Sequence, residues 1–184
     1  NFESSEEEIK FIEKYKITPL FITHENYPKR LLNCYDSPAL LYYRGNANLN
    51  TSKIISVVGT RNNSDYGKQV CEKFIDELQS ENILVVSGLA FGIDTIAHKA
   101  ALKNNLQTIA VLAHGLDRIY PLQNKTLAKQ ITAQGGLLTD FISNTNPDKQ
   151  NFPKRNRIVA GMCDAVIVME SSKKGGSLIT AELG

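Results

Sequence analysis

Ile54-Ile-Ser-Val-Val58-Gly59-Thr60-Arg61-Asn62-Asn63 leads into Asp65 to Gln79, where Val70, Phe74, Ile75 and Leu78 recur at helical spacing. A short, mostly apolar β-branched run that closes on glycine and gives way to an amphipathic segment is a strand–turn–helix unit. The rhythm repeats downstream. Ile83-Leu-Val-Val86 ends in Ser87-Gly88 and precedes a helix over Ile93 to Lys103. Thr108-Ile-Ala-Val-Leu112 is a third strand, Leu122 to Ala133 a helix, and Gly136-Leu-Leu-Thr139 a short strand. Asn156 to Met162 is predicted helical, Ala165-Val-Ile-Val-Met169 a strand, and Ser177 to Leu183 the start of another helix. Near-continuous apolar strands alternating with helices predict a Rossmann-like, doubly wound α/β fold, its mainly parallel sheet covered on both faces. Ile54–Val58 is expected at its centre, with its loop facing both Ser87-Gly88 and Gly175-Gly176.

Upstream the texture changes. Residues 1–50 are aromatic and proline-punctuated, as in Ile17-Thr-Pro-Leu-Phe-Ile22 and Pro38-Ala-Leu-Leu-Tyr-Tyr43. A short helix over Glu6 to Tyr15 and short extended pieces are expected there. Gly45 to Ser52 is polar and turn-rich, so it reads as a linker. Residues 1–50 are therefore expected to form a small N-terminal extension packed on a domain over 51–184. The opening Asn1 to Glu8 is acidic, without Met or a signal-peptide pattern, and the last helix stops at Gly184. Both ends are expected to be internal to a longer chain, the 51–184 domain being incomplete at its C-terminus.

Of the 184 residues, 42% are hydrophobic and 22% charged, enough for one buried core. The net charge is only +2, so an anion site must come from local clustering rather than a global field. No apolar run approaches a membrane span of roughly 18–20 residues. Cys34, Cys71 and Cys163 are scattered and odd in number, which suits a reducing compartment. His24, His98 and His114 show no metal-ligand spacing, and no metal site is expected.

In open parallel sheets, ligands bind beyond the carboxyl ends of the strands, where strand order reverses. The loops there contain Gly59-Thr60-Arg61, Ser87-Gly88 through Gly92 and Asp94, His114-Gly115, and Glu170 through Gly175-Gly176-Ser177. Glycine lets the backbone approach an anion, hydroxyls add donors, and a helix N-terminus then favours phosphate. Gly175-Gly176-Ser177 before Leu178-Ile179-Thr180 is the clearest case. The plainer reading of any one loop is ordinary turn and capping chemistry; their recurrence on one edge favours a phosphate site. No Gly-x-Gly-x-x-Gly follows the first strand, and no Walker-type loop is present, so no nicotinamide or ATP cofactor is expected.

Asn151-Phe-Pro-Lys-Arg-Asn-Arg-Ile-Val-Ala-Gly161 is the second feature. Lys154, Arg155 and Arg157 crowd the start of a predicted helix, where cations oppose the dipole unless an anion joins them. Phe152 beside them is a candidate stacking platform for a base, and Arg61 leaves the first strand toward the same edge. The plainer alternative is a solvated basic turn with Phe152 in the core. Catalytic groups are not recognisable: Asp94, Asp117, Asp140 and Asp164 form no repeated carboxylate pattern, and Ser87-Gly88 lacks the nucleophile-elbow motif. Asp94 and His98, four apart, face one side of a helix, where a local or capping contact is the simpler reading. The chain is read as a binding protein rather than an enzyme.

Together, Val58-Gly-Thr-Arg61, Ser87-Gly-Leu-Ala-Phe-Gly-Ile-Asp94 with His98, Thr108 to Leu112, Tyr120-Pro121 with Asn124, Phe152 to Gly161 and Gly176-Ser-Leu-Ile-Thr-Ala181 resemble the DNA-processing protein A (DprA/Smf) family, from about Tyr27 to the end. The resemblance implies a cytosolic bacterial protein of natural transformation, or competence. Such a protein binds incoming single-stranded DNA, protects it and loads the RecA recombinase onto it for DNA recombination. It also implies a homodimer and a basic pocket at the carboxyl edge. Arg61 then matches the first-loop arginine, Phe152, Arg155 and Arg157 fall in the arginine-rich motif, and Gly176, Ser177 and Thr180 in the last loop. With the loop and cluster reading, the expected DNA-binding set is Arg61, Ser87, Gly88, Phe152, Lys154, Arg155, Arg157, Gly175, Gly176, Ser177 and Thr180. Asp140 stands where many members carry Glu.

The alternative is an enzyme resembling the lysine decarboxylase-like nucleotide phosphoribohydrolases, with Arg155 and Glu182 mimicking its catalytic arrangement. In the Pro-Gly-Gly-x-Gly-Thr loop of that group, however, this chain has Lys174 for Pro, Leu178 for the later Gly and Ile179 for Thr.

Overall fold

The structure, a computed structural model, describes residues 2–172 and 175–183. Lys173 and Lys174 of the last loop, and the Lys174-for-Pro difference with them, lie outside the described residues, as does Gly184.

Seven strands form one sheet: β1 (Thr18–Phe21), β2 (Leu40–Gly45), β3 (Ile54–Val58), β4 (Leu84–Ser87), β5 (Thr108–Val111), β6 (Gly136–Thr139) and β7 (Ala165–Val168), in spatial order β1-β2-β6-β5-β4-β3-β7. From β6 to β7 all neighbours are parallel. The sequence placed Ile54–Val58 at the centre; it lies instead one strand in from the β7 edge, and β5 is the middle strand. Its two neighbours are nonetheless β4 and β7, so the Arg61 loop does lie between the Ser87-Gly88 and Gly175-Gly176 loops. Residues 18–45, read as short extended pieces of an extension, are hydrogen-bonded into the sheet: β2 pairs antiparallel with β6, and β1 with β2.

The alternation of strand residues explains the two faces. Ile54, Leu84, Val86, Ile109 and Val111 point to one side, where they meet Leu31, Ile158, Val159 and Met162. Val57 and Val85 point to the other, against Cys71, Ile75, Ala97 and Ala101, and Ala110 joins Leu127 and Ile131 there. Helices α2 (Asp65–Glu77), α3 (Ile93–Lys103) and α4 (Lys125–Gln134) therefore cover one face. Helix α5 (Asn151–Gly161) covers the other, with α6 (Gly176–Glu182) packed on it. Helix α1 (Phe2–Lys14) precedes the sheet and is tied to it where Glu8 accepts from the Ser143 N–H at 3.2 Å.

At the amino edge, Asp164 accepts from the Ile54 N–H at 2.8 Å and from Arg30 Nε at 2.7 Å. That pair anchors the 3₁₀ turn over Lys29–Asn33 to the start of β3. At the carboxyl edge the loops bond to one another. The Thr60 N–H donates to the Glu170 carbonyl at 2.7 Å, and the Ile93 N–H to the Thr60 carbonyl at 3.1 Å. Gly92 makes the second contact possible. Its φ is +75°, and a Cβ there would strike the Thr60 carbonyl and lie 2.7 Å from the Arg61 carbonyl carbon. Helix α5 begins at Asn151 rather than Asn156, because Pro153 falls in the first turn, where a helix needs no N–H from it.

Gly92→Ala should therefore destabilise the protein by roughly 2 kcal/mol or more, from left-handed strain plus a backbone collision. Urea unfolding followed by circular dichroism measures this, and a change inside about 0.5 kcal/mol, the range of an ordinary surface substitution, would contradict it.

Candidate nucleic-acid interface

An open cleft of about 600 Å³ lies along the carboxyl edge, walled by the loops after β3, β4 and β7 and by the start of α5. It is lined by Arg61, Gly88, Phe152, Arg155, Gly175, Gly176, Ser177 and Thr180 from the sequence-predicted set. It also gathers Thr60, Asp94, Tyr120, Lys149 and Asn156, which sequence reading left out of that set.

Arg155 forms the floor. Although it is buried, Nη1 donates to the Val111 carbonyl at the end of β5, and Nε to Asn156 Oδ1 at 3.1 Å. Nη2 has no protein hydrogen bond among the described residues and remains open to the cleft. Asp94 opposes it across Gly88. A Cβ at Gly88 would collide with the Asp94 carboxylate and lie 2.5 and 2.6 Å from Arg155 Nη1 and Nη2. Only glycine fits between the two charges. The Asp94 carboxylate accepts from the Ala90 N–H at 3.2 Å, so it fixes the β4–α3 loop as well. Burial pushes the Asp94 carboxyl up, and Arg155 works against that rise. Burial pushes the Arg155 guanidinium down, Asp94 counters, and Arg61 adds repulsion from across the cleft.

Arg61 is exposed, its guanidinium carbon 5.2 Å from the centre of the Phe152 ring. Phe152 in turn meets Tyr120, centroid to centroid 6.1 Å and tilted 59°. Two arginines and two aromatic rings thus converge on one opening, which Thr60, Ser177 and Thr180 also line. Two neighbouring helix starts already carry the protein's own carboxylates. Glu170 accepts from the Ser64 N–H at 3.0 Å before α2, and Asp94 lies in the first turn of α3.

The remaining predicted residues go elsewhere. Arg157 is turned toward the N-terminal segment, with Nη2 2.7 Å from Asp140 Oδ2 and Nη1 donating to the Asp36 carbonyl. Burial pushes the Asp140 carboxyl up, and Arg157 opposes this. Lys154 is exposed on α5 and does not line the cleft. Ser87 is buried, donating to the Val57 carbonyl at 2.6 Å. Asp94 and His98 make no direct pair. His98 is buried with Nε2 2.6 Å from the Gly88 carbonyl and Nδ1 2.7 Å from Thr108 Oγ1. A carbonyl can only accept, so Nε2 carries a proton, and the Thr108 hydroxyl beside Nδ1 also lies 2.9 Å from the Val85 carbonyl. Glu182, the second group of the enzyme alternative, is exposed and does not line the cleft that Arg155 floors.

The fold and the cleft define a Rossmann-like α/β protein with an open, arginine-bearing trough with aromatic walls at the carboxyl edge of its sheet. The family model of DNA recombination-mediator protein A matches residues 18–184, and the chain belongs to that family. It is 45% identical over 167 residues to the DNA processing protein DprA of Streptococcus pneumoniae, covering 91% of this chain and 59% of that protein. The solved structure of pneumococcal DprA superposes with a TM-score of 0.87 at 43% identity, over 95% of this chain and 62% of the other. DNA processing protein A from Helicobacter pylori, solved to describe its single-stranded DNA binding mode, gives a TM-score of 0.83 at 33% identity, over 92% and 76%. The chain thus spans under two thirds of its pneumococcal relative, and no helix among the described residues is long and apolar enough to cross a membrane.

Desolvation holds the His98 pKa down, from an ordinary 6.5 to about 4. Between those values the unfolded chain takes a proton that the folded one refuses. Stability is therefore full above pH 6.5 and declines as pH falls toward 4, by roughly 2–3 kcal/mol from this group at pH 4.5. His98→Gln should remove that share of the acid-dependent loss, seen by comparing urea midpoints at pH 7 and pH 4.5. A variant as acid-sensitive as the parent would contradict the buried neutral imidazole.

Proposed function

We propose that this chain binds single-stranded DNA in the carboxyl-edge cleft. As a recombination mediator it then protects incoming DNA and loads RecA onto it during natural transformation, as a homodimer in the bacterial cytosol. The observation that carries the reading is the convergence of Arg61, the open Nη2 of Arg155, Phe152 and Tyr120 on one trough. Two like charges held together in this way repel each other, and a bound phosphate relieves both. The family supports the nature of the ligand, since the Helicobacter pylori relative is described by its single-stranded DNA binding mode. Recombination mediation, the RecA partner and dimerisation rest on family membership.

The geometry gives each group a task. Arg61 and Arg155 Nη2 take consecutive phosphates, joined by Lys149 on the rim, while Gly88, Gly175 and Gly176 let the backbone come close. The Ser177 hydroxyl donates to Ser171 at 2.7 Å and the Thr180 hydroxyl to the Gly176 carbonyl at 3.2 Å, so these two shape the last loop rather than supply donors to phosphate. Phe152 stacks a base, and the trough suits a single strand because its bases are unpaired and its backbone bends. Lys154, outside the lining, meets a strand only beyond the cleft. Arg157 is occupied by Asp140 and Asp36, and its role is to hold α5 to the N-terminal segment.

Fluorescence anisotropy with oligo-dT across a salt series tests this. Arg61→Ala should weaken binding to all sequences alike and flatten the log–log salt slope by about 0.7, one phosphate contact on a single strand. Phe152→Ala should cost roughly 1–3 kcal/mol with the slope unchanged. Arg157→Ala should leave the slope unchanged while lowering stability. Parent-like affinity in a folded Arg61→Ala, Phe152→Ala double variant would overturn the assignment of the site.

A further inference from the structure

Charge is unevenly distributed along this chain. Between Asp94 and Asp140 the only carboxylate is Asp117, against five basic residues: Lys99, Lys103, Arg118, Lys125 and Lys129. Asp117 is already engaged by Arg118 at 2.8 Å and by the Asn144 N–H at 2.9 Å. The other four cations lie on α3 and α4, all exposed, and none has an ion-pair partner among the described residues. On α2 the pattern is the opposite: Lys68 and Lys73 face Glu72 and Glu77 one turn on. The α3–α4 lysines are thus a field of one sign rather than a salt-bridged surface.

These lysines are also ordered in space. Lys99 and Lys103 line a groove of about 620 Å³ between the two helices, with Gln130, Ala133 and Gln134 on its other wall. Lys125 and Lys129, like Lys99 and Lys103, are one turn apart, about 6 Å along the axis. Lys125 opens α4, whose first turn holds no acid, so its charge opposes the helix dipole without local relief. That end of α4 adjoins the DNA cleft: Tyr120 lines the cleft, Leu122 and Gln123 follow exposed, and the helix starts at Lys125. The groove offers no large exposed apolar anchor of the kind a peptide partner needs.

We infer that the α3–α4 face is a second polyanion surface, which holds the backbone of the single strand where it leaves the cleft past Tyr120. The inference rests on the single-strand reading of the cleft and extends it along α4 to the α3 groove. A short oligomer fills the cleft alone, whereas a long one reaches the lysines.

The test uses oligo-dT of roughly 6 nucleotides, near the short end of the usual single-strand site sizes of about 4–16, and of roughly 30, well beyond them. Lys99, Lys103, Lys125 and Lys129 are changed together to Gln, which keeps helix propensity and removes charge. A control changes Lys10, Lys14, Lys68 and Lys73 to Gln, lowering net charge equally. The α3–α4 variant should bind the short oligomer as the parent does. It should bind the long one at least tenfold more weakly, with a salt slope reduced by about 2 to 3. The control should stay within twofold on both. Long-oligomer affinity that falls equally in variant and control, or in neither, would overturn the inference. The cleft reading fails separately, if the parent does not bind the short oligomer or if Arg61→Ala binds it as tightly.

Discussion

Burying Arg155 takes a full charge out of water, which costs several kcal/mol unless hydrogen bonds and an opposing charge replace the solvent. The protein supplies the Val111 carbonyl, the Asn156 side chain and, across a glycine, Asp94. Each supplier constrains its own element. The carbonyl is available because β5 ends there, Asp94 is in place because Gly92 starts α3 against Thr60, and Gly88 has no side chain because none would fit. His98 then holds the Gly88 carbonyl from below. The guanidinium is left one open nitrogen, and that nitrogen faces the cleft.

Burial first and then Arg61 work against the Arg155 charge, and on the proposed function a bound phosphate relieves both. Asp94 offsets only part of the charge, since no carboxylate among the described residues reaches Arg155 within the 4.0 Å of a direct ion pair. A closer carboxylate would have stabilised the floor and weakened the site. If the cleft holds a phosphate as proposed, stability and binding pull opposite ways at this one residue, and the separation across Gly88 serves both.

Much of this was legible in the amino-acid sequence. The helix over Ile93 to Lys103 and the strand over Gly136 to Thr139 agree residue for residue, because Gly92 and Asn104 bound the helix and Gly135 precedes the strand. Arg61 and Gly88 were readable because their loops follow apolar strands, and Phe152 and Arg155 because a basic cluster beside an aromatic stands at a helix start. Two things were not. Arg155 and Arg157 are two residues apart on a helix that turns about 100° per residue, so they point nearly opposite ways. With the helix read as starting at Asn156, the cluster straddled its N-terminus, and the opposite directions of Arg155 and Arg157 were hidden. Lys149 carries no local motif, and the Tyr120-Pro121 motif did not mark Tyr120 as a cleft residue; both join the cleft only through the fold. The pairing of β2 with β6 was equally hidden, because proline-punctuated extended segments do not state their partners.

The central claim is that one strand lies along the carboxyl edge, held between Arg61 and Arg155 and stacked on Phe152. A crystal structure of the protein with a short oligo-dT tests it most directly. The account predicts consecutive phosphates, one against Arg61 and the next against Nη2 of Arg155, with a base against the Phe152 ring. An oligonucleotide bound on another face, with the trough between β3, β4 and β7 left empty, would contradict it.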